Sequence, residues 1–145
     1  MEDNLQQLGE ELISTAARMV RWAPKDQSLN LSLAAARLLA RLHDNGPTRI
    51  SDLATAERCS QPTITNHVKR LEAASLVARE IDPHDGRVAI ITLTEPGFAE
   101  LVRMRQVIGS GLEPYLARLS EPDRRTLADG IAVMQRLMTN KEASP

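Results

Sequence analysis

The sequence predicts a mostly α-helical protein of the α+β class that contains one small β-hairpin. In several segments apolar residues recur every three or four positions, which is the spacing of one helix face. The segment 77–93 differs, because it is rich in β-branched residues and is interrupted by a cluster of turn formers. The 145 residues include one Trp, one Phe and one Tyr, so aliphatic side chains must fill the core and helices must pack mainly against helices.

The first two predicted helices are separated by a polar loop. The first helix has an apolar face that is formed by Leu5, Leu8, Leu12, Ala16 and Met19. Residues 23–30 then interrupt the pattern, since Pro24 disfavours helix for its predecessor and the polar run that follows has nothing to bury. Ser32 is a good N-cap for the second helix, which Asn45 and Gly46 end.

Two capped helices joined by a tight turn follow. Ser51 caps a short third helix, and the chain turns near residues 57–59. Ser60 caps a fourth helix at about residues 60–74, with Pro62 in its first turn, where a missing N–H does little harm. A short helix, a tight turn and a longer capped helix together form a helix-turn-helix, a motif that places its second helix in the DNA major groove.

The single cysteine, Cys59, excludes an internal disulfide framework and agrees with a reducing compartment. It immediately precedes the Ser60 cap, and Ile64 follows four positions after that cap, which is the arrangement of a hydrophobic staple. We therefore predict that Cys59 is a small, buried apolar residue. The alternative is a redox-active thiol.

The β-hairpin and two long helices complete the chain. Residues 77–81 and 88–93 are the predicted strands, and residues 82–87 form a polar, charged turn between them. Thr94 and Ser120 begin the fifth and sixth helices, and each is followed by an acid and a proline. The apolar faces of these two helices comprise Phe98, Leu101, Ile108, Leu112, Tyr115, Leu119, Leu127, Ile131, Met134, Leu137 and Met138.

The fourth helix has one anchored face and one free face. At about 100° per residue, the anchored face comprises Ile64, Val68, Leu71 and Ser75, and the free face comprises Pro62, Asn66, Lys69 and Ala73, flanked by Thr63 and Arg70. The net charge of the chain is only −1, which argues against a generally basic nucleic-acid binder. However, residues 58–70 carry Arg58, Lys69 and Arg70 and no acid. The positive charge is therefore sorted locally.

The free face supplies the groups that reading of the DNA major groove needs. Asn66 can pair with adenine through two hydrogen bonds, and Lys69 and Arg70 can reach guanine or phosphate. A threonine can contact a thymine methyl group or a phosphate, and small side chains near the helix start allow close approach to base edges. A solvated amphipathic helix also has a polar outer face, so this helix alone leaves both interpretations open.

Seven short stretches occur together along the chain, at residues 31–32 (LS), 50–54 (ISDLA), 60–65 (SQPTIT), 71–72 (LE), 76–79 (LVAR), 82–87 (DPHDGR) and 93–97 (LTEPG). Over nearly the whole chain they resemble the MarR family of winged-helix regulators, in which the hairpin is the wing. Asp85-x-Arg87 followed by Leu93-Thr94-x-x-Gly97 is fairly specific. The resemblance implies a homodimer whose first and last helices intertwine, a recognition helix in each major groove, wing arginines in the flanking minor grooves, and often a small phenolic ligand that releases DNA.

We therefore predict a sequence-specific DNA-binding transcriptional regulator and favour a repressor. The winged helix-turn-helix comprises residues 31–94, with dimerisation segments at 1–30 and 95–145. The predicted DNA contacts are Ser60, Gln61, Pro62, Thr63, Thr65, Asn66, Lys69, Arg70 and, in the wing at about residues 82–88, Arg87. Asp85 is expected to hold Arg87 extended through a charge-assisted hydrogen bond; the alternative is that it only shapes the turn.

An enzyme or a metalloprotein is not predicted. His43, His67 and His84 fall in three different elements without a partnered nucleophile or a zinc-binding spacing, so we predict no catalytic residue, metal or cofactor. The remaining alternative is a winged-helix module that contacts protein or RNA without reading DNA sequence. The basic outer face of the fourth helix argues against protein contact, and the lack of exposed aromatic residues argues against single-stranded RNA.

The predicted partners are duplex DNA, a second copy of the chain and a small aromatic or phenolic effector. Trp22 and Tyr115, with Arg18 and Arg21, are candidates for the border of an effector pocket, or else for ordinary core packing. The first eleven residues lack the basic start and the apolar run of a secretory signal, and no stretch approaches about 18 uninterrupted apolar residues. We expect a cytoplasmic protein with no membrane segment.

Overall fold

A computed structural model of the chain describes residues 4–25 and 31–142, with side chains through residue 139. The elements in chain order are α1 (Leu5–Trp22), α2 (Leu33–Asn45), β1 (Thr48–Arg49), α3 (Ile50–Ala56), α4 (Gln61–Ala73), β2 (Val77–Asp82), β3 (Asp85–Leu93), α5 (Glu95–Leu116) and α6 (Glu121–Glu142). This order confirms a mostly helical fold with a small antiparallel sheet. Most of the loop predicted at residues 25–30 lies outside the described residues.

Four of the predicted helix caps are confirmed. The side-chain oxygens of Ser32 and Ser60 accept the backbone N–H groups of Ala35 and Thr63, at 3.2 and 3.3 Å. The Oγ1 atom of Thr94 accepts the N–H of Gly97 at 3.0 Å, which caps α5. At α6, the Oγ atom of Ser120 accepts the N–H of Asp123 at 3.2 Å. Each hydroxyl satisfies a donor that the first helical turn would otherwise leave unpaired.

The predicted cap at Ser51 is wrong. Helix α3 begins at Ile50, and the residue at its N-cap position, Arg49, has an extended backbone and makes no side-chain cap bond. The reason is strand β1, in which Thr48 and Arg49 pair with β3 immediately before the helix. The chain therefore leaves the sheet and enters the helix two residues too early for Ser51 to act as a cap.

The sheet has three antiparallel strands in the order β1-β3-β2. The hairpin turn is shorter than predicted, because only Pro83 and His84 lie outside the strands and Asp82 pairs with Asp85. A register shift follows Ile81, so the ladder is irregular at this end. Residues 85–87 therefore belong to β3, and the predicted six-residue turn is a tight reversal followed by a strand.

By its internal contacts the chain divides into two compact units. The winged-helix unit comprises Lys25–Val107 and contains a well-formed core. Its buried residues include Leu38, Leu39, Leu42, Leu53, Ile64, Val68, Leu71, Val77, Ile91 and Leu101. Ile64, Val68 and Leu71 confirm the predicted anchored face of α4, whereas Ser75 is exposed and lies beyond the end of this helix, with φ at 60°. Ser75 therefore leaves the face to which we assigned it.

The helical unit comprises Met1–Pro24 and Ile108–Pro145. None of its described side chains is buried, so the predicted apolar faces of its helices remain exposed in the single chain. The large exposed apolar residues of this unit include Leu5, Leu8, Ile13, Met19, Val20, Trp22, Ile131, Val133, Met134, Leu137 and Met138. Within the described residues, no helix combines the length and the apolar character that crossing a membrane demands.

Candidate nucleic-acid interface

The outer face of α4 is open to solvent. Gln61, Pro62, Thr63 and Asn66 are exposed, and Thr65 is half-buried. At the start of the helix the Oγ atom of Ser60 lies 2.8 Å from the Oγ1 atom of Thr63, in addition to its cap bond. The two hydroxyls therefore hold each other in place at the N-terminal end, where a recognition helix contacts base edges.

Three cations accompany this face. Arg58 lies in the turn before α4, and Lys69 and Arg70 lie in its second half; all three are exposed. Among the described residues, none of the three makes an ion pair with an acid. Their charges are therefore available to phosphate groups or to guanine.

An ion-pair cluster that sequence reasoning missed holds the turn between α3 and α4. The Oε1 and Oε2 atoms of Glu57 lie 2.8 and 2.5 Å from Arg41 and Arg37 of α2, and the Glu57 side chain is only 6% exposed. Burial raises the pKa of the Glu57 carboxyl, but the hydrogen bonds and charges of Arg41 and Arg37 outweigh this effect and hold the pKa below its usual range. The sequence signal that could have revealed this cluster is the position of Glu57, an acid that directly precedes the acid-free residues 58–70.

The wing presents a single arginine near its tip. The Arg87 side chain is 93% exposed, and its Nε atom lies 3.3 Å from the Oδ1 atom of Asp85. The same carboxylate oxygen accepts the backbone N–H of Arg87 at 3.0 Å. Asp85 thus makes both the side-chain contact that we predicted and a bond that shapes the local backbone.

A second missed ion pair lies where the hairpin turn begins. The Asp82 side chain is 2% exposed; its Oδ1 atom accepts the N–H of His84 at 2.8 Å, and its Oδ2 atom lies 2.7 Å from Nη2 of Arg49. This carboxylate therefore joins the hairpin turn to the short strand β1. A buried acid in a polar turn gives no sequence signal, because Asp is equally common in solvated turns.

The prediction of a buried Cys59 is wrong. Its side chain is exposed, and its N–H donates to the carbonyl of Ala54 at 3.1 Å. Arg58, the residue before it, has a left-handed backbone with φ at 53°. The chain therefore reverses before the Ser60 cap, so Cys59 faces solvent while Ile64 enters the core.

The two candidate pocket residues meet inside the helical unit. The ring centroids of Trp22 and Tyr115 are 4.8 Å apart in an edge-to-face arrangement, and the guanidinium carbon of Arg118 lies 6.0 Å from the centre of the Tyr115 ring. Trp22 and Tyr115 line a cavity of about 290 Å³. The other lining residues are Met19, Leu112, Leu116, Leu119 and Leu127. Arg18 and Arg21 border a second cavity with Trp22.

In the described part of the chain, no cluster of three or more His, Cys, Asp or Glu side chains could hold a metal ion.

Solved structures resemble the chain over nearly its full length. The transcriptional regulator Tm0710 from Thermotoga maritima superposes with a TM-score of 0.73 at 20% identity, covering 96% of this chain and 99% of that one. BpsR from Bordetella bronchiseptica, a protein whose DNA binding is regulated by 6-hydroxynicotinic acid, superposes with a TM-score of 0.56 at 26% identity. That match covers 89% of this chain and 98% of BpsR. The fold is therefore the one found in these regulators.

Sequence comparisons agree with the fold. The model of the MarR family matches residues 31–89, from α2 into β3. The HTH-type transcriptional regulator YdgJ of Bacillus subtilis is 28% identical over 113 residues, which are 78% of this chain and 69% of that protein. The HTH-type transcriptional repressor NicR of Pseudomonas putida is 42% identical over 66 residues, or 46% of this chain and 42% of NicR. The winged-helix unit, through residues 31–89, is therefore similar to the MarR family of transcriptional regulators.

Proposed function

We propose that two copies of the chain bind one pseudo-palindromic DNA duplex and repress transcription. Helix α4 of each copy enters a major groove, and each wing, at residues 82–88, reaches the flanking minor groove. The observation that carries this proposal is the division of α4. Its inner face is buried through Ile64, Val68 and Leu71, while its outer face is exposed, acid-free and equipped with hydrogen-bonding side chains. A helix held in this way can present base-reading groups to DNA without unfolding.

The dimer is supported by the helical unit. Helices α1 and α6 and the second half of α5 leave large apolar side chains exposed, among them Leu5 at 75% and Ile13 at 71%. Many large apolar side chains left exposed on the same helices are unusual on monomers and indicate an interface. We therefore assign the dimerisation role to segments 1–30 and 95–145, and we expect light scattering at micromolar concentration to give twice the mass of the chain.

The proposed role is non-catalytic and cytoplasmic. His43 stacks on Phe98 with ring centroids 5.1 Å apart, His67 lies half-buried on α4, and His84 lies in the hairpin turn. The three imidazoles therefore belong to separate places in the fold, and they do not converge on one reactive site. A repressor acts where its DNA is, and we therefore expect this protein in the cytoplasm.

We also propose that a small aromatic or phenolic effector binds the cavity at Trp22 and Tyr115 and lowers DNA affinity. The cavity of about 290 Å³ is lined by apolar and aromatic side chains, which suits a single aromatic ring. Regulation of BpsR by 6-hydroxynicotinic acid supports this class of ligand. Because Trp22 is the single tryptophan of the chain, its fluorescence reports directly on this cavity. Titration with phenol and with 6-hydroxynicotinic acid should give a saturable change for at least one, and a flat signal for both at millimolar concentration contradicts the proposal.

Selection from a random-sequence duplex pool tests the DNA-binding function. The full chain should enrich a pseudo-palindrome whose half-site centres are about 10–10.5 base pairs, or 34–36 Å, apart. We refer to the enriched sequence as the selected duplex. Recovery of unrelated sequences after repeated rounds contradicts sequence reading, and enrichment of a single unpaired half-site contradicts the dimeric mode.

A further inference from the structure

We propose that Glu57 is a positioning residue for DNA reading, because its carboxylate, held by Arg37 and Arg41 of α2, fixes the turn from which α4 starts. This inference rests on the proposed DNA-binding function and adds an ion-pair cluster that sets the direction of helix α4. The three side chains form one cluster, with Glu57 on the turn and both arginines on one face of α2, four positions apart.

The first turn of α4 has no buried side chain of its own to fix its position. The buried residues that hold this helix are Ile64, Val68 and Leu71, so the anchoring begins only at its fourth residue. The exposed residues Gln61 to Thr63, which come first, are the ones that approach base edges in a recognition helix. Their position therefore depends on the segment 57–60, which precedes them.

That segment is held to α3 by backbone hydrogen bonds and to α2 through the side chain of Glu57. Arg58, Cys59 and Ser60 are all exposed, and Arg58 has a left-handed backbone with φ at 53°, which is unfavourable for a residue with a side chain. Among the described side chains of this segment, Ser60 bonds to Thr63 of the adjoining helix α4, and Glu57 makes the link to α2. The N–H groups of Arg58 and Cys59 bond to the carbonyls of Thr55 and Ala54, which closes α3 in a Schellman-type end and ties the turn to α3. The ion pairs of Glu57 add the link from this turn to α2.

The other end of the tether is rigid. Helix α2 carries Leu38, Leu39 and Leu42, which are at most 2% exposed, so it is built into the core of the winged-helix unit. Its arginines are partly exposed, with 58% for the Arg37 side chain and 33% for Arg41, and the carboxylate is 6% exposed. The charges therefore link a core helix to a surface turn and contribute little to the apolar core itself.

Four variants and two readouts test the proposal. Glu57→Gln removes both ion pairs of the tether, Arg41→Gln removes one of the two, and Arg41→Lys keeps the charge. Arg125→Gln is the control, because it removes an exposed arginine that pairs with Glu121 on α6. The first readout is hydrogen exchange of the free protein at the N–H groups of Arg58 and Cys59, which bond to the carbonyls of Thr55 and Ala54. The second is the ratio of affinities for the selected duplex and for a shuffled duplex.

We expect both Gln variants at the tether to speed exchange at these turn amides, with little change at core amides, and to lower the affinity ratio by about tenfold. Arg41→Lys should restore most of the ratio, and Arg125→Gln should behave as the unmodified chain. Uniformly faster exchange across the winged-helix unit, or equal losses on both duplexes, overturns the proposal in favour of a general stabilising role. Faster turn exchange with an unchanged ratio overturns it while leaving the proposed function intact. Failure of the unmodified chain to select any duplex overturns both.

Discussion

Asn66 is the residue on α4 whose chemistry discriminates best between bases. It is exposed in the middle of the outer face, where its amide can pair with adenine through two hydrogen bonds. We expect Asn66→Ala to weaken binding of the selected duplex by about 1–3 kcal/mol and to relax base preference at one position per half-site. Anisotropy titrations of single-base duplex variants measure both effects.

The matched control for Asn66 is Lys69→Ala on the same face. A lysine that contacts phosphate contributes charge but no sequence preference, so its loss should weaken the selected and shuffled duplexes to a similar degree. If Asn66→Ala also weakens both duplexes equally, this residue reads no base.

We propose a different kind of contact for Arg87 in the wing. Its guanidinium is exposed and held by Asp85, so it can enter a narrow, electronegative minor groove. Arg87→Ala should lower affinity, remove any preference for A·T-rich flanks and make the salt dependence shallower by about one unit per protomer. Titrations across a range of salt concentrations provide the slope, and an unchanged slope with unchanged flank preference removes Arg87 from the interface.

At the level of single residues, sequence reasoning located exposed polar groups better than buried ones. The outer face of α4 follows from helical geometry alone, and the structure leaves Asn66, Lys69 and Arg70 exposed as expected. By contrast, burial of Glu57 and Asp82 depends on partners 16 to 33 positions away along the chain, Arg41 and Arg49, which no local pattern reveals. Short-range patterns predict which face is free, and only the fold shows which charge is paired.

At the level of elements, the start of α5 closely approaches the backbone of Leu76. A Cβ atom added at Gly97 would lie 1.9 Å from the carbonyl oxygen of Leu76, although this glycine has an ordinary helical position. We expect Gly97→Ala to lower the free energy of unfolding by about 1–3 kcal/mol, since backbone must move to admit the methyl group. Denaturant unfolding measures the change.

The control for Gly97 is Gly109→Ala in the same helix. Nothing lies within 4 Å of a Cβ atom at Gly109, so alanine should be neutral or stabilise the helix by up to about 1 kcal/mol. Equal effects of the two substitutions would show that the close approach at Leu76 does not constrain α5.

Sequence reasoning missed elements that are very short, and it misassigned strand residues whose composition is that of the adjacent turn. Strand β1 has two residues, too few for any alternation, and its presence moved the start of α3 from the predicted cap to Ile50. The tight turn at Pro83 and His84 was predicted too long, because the polar residues 85–87 read as turn formers although they pair in β3. The long helices were predictable, since each combines a capping residue with a sustained apolar face.

At the level of the whole molecule, stability should depend on acid pH through paired carboxylates. The pKa of Glu57 is lowered by Arg41 and Arg37 against the effect of burial, and that of Glu100 is lowered chiefly by its hydrogen bond from Arg103. A carboxyl with a lowered folded-state pKa stabilises the fold fully above its unfolded value, about 4.3, and loses this contribution as pH falls through the folded value.

We therefore expect the unfolding midpoint in denaturant to fall as pH decreases below about 4.3, and Glu57→Gln to make this decrease less steep. The substitution removes one titrating carboxyl while leaving its neighbours in place. Arg125→Gln, at an exposed pair on α6, serves as the control and should leave the pH profile unchanged. A profile for Glu57→Gln that parallels the unmodified chain contradicts the role of this carboxylate in acid stability.

Sequence-specific DNA binding by a dimer is tested most directly by a competition titration. The selected duplex, labelled for anisotropy, is competed with itself and with a shuffled duplex of equal composition at about 0.15 M salt, where non-specific phosphate contacts are weakened. We predict at least about a 10³-fold preference for the selected duplex and saturation at two chains per duplex. Equal competition by the two duplexes, or saturation at one chain, would contradict the account.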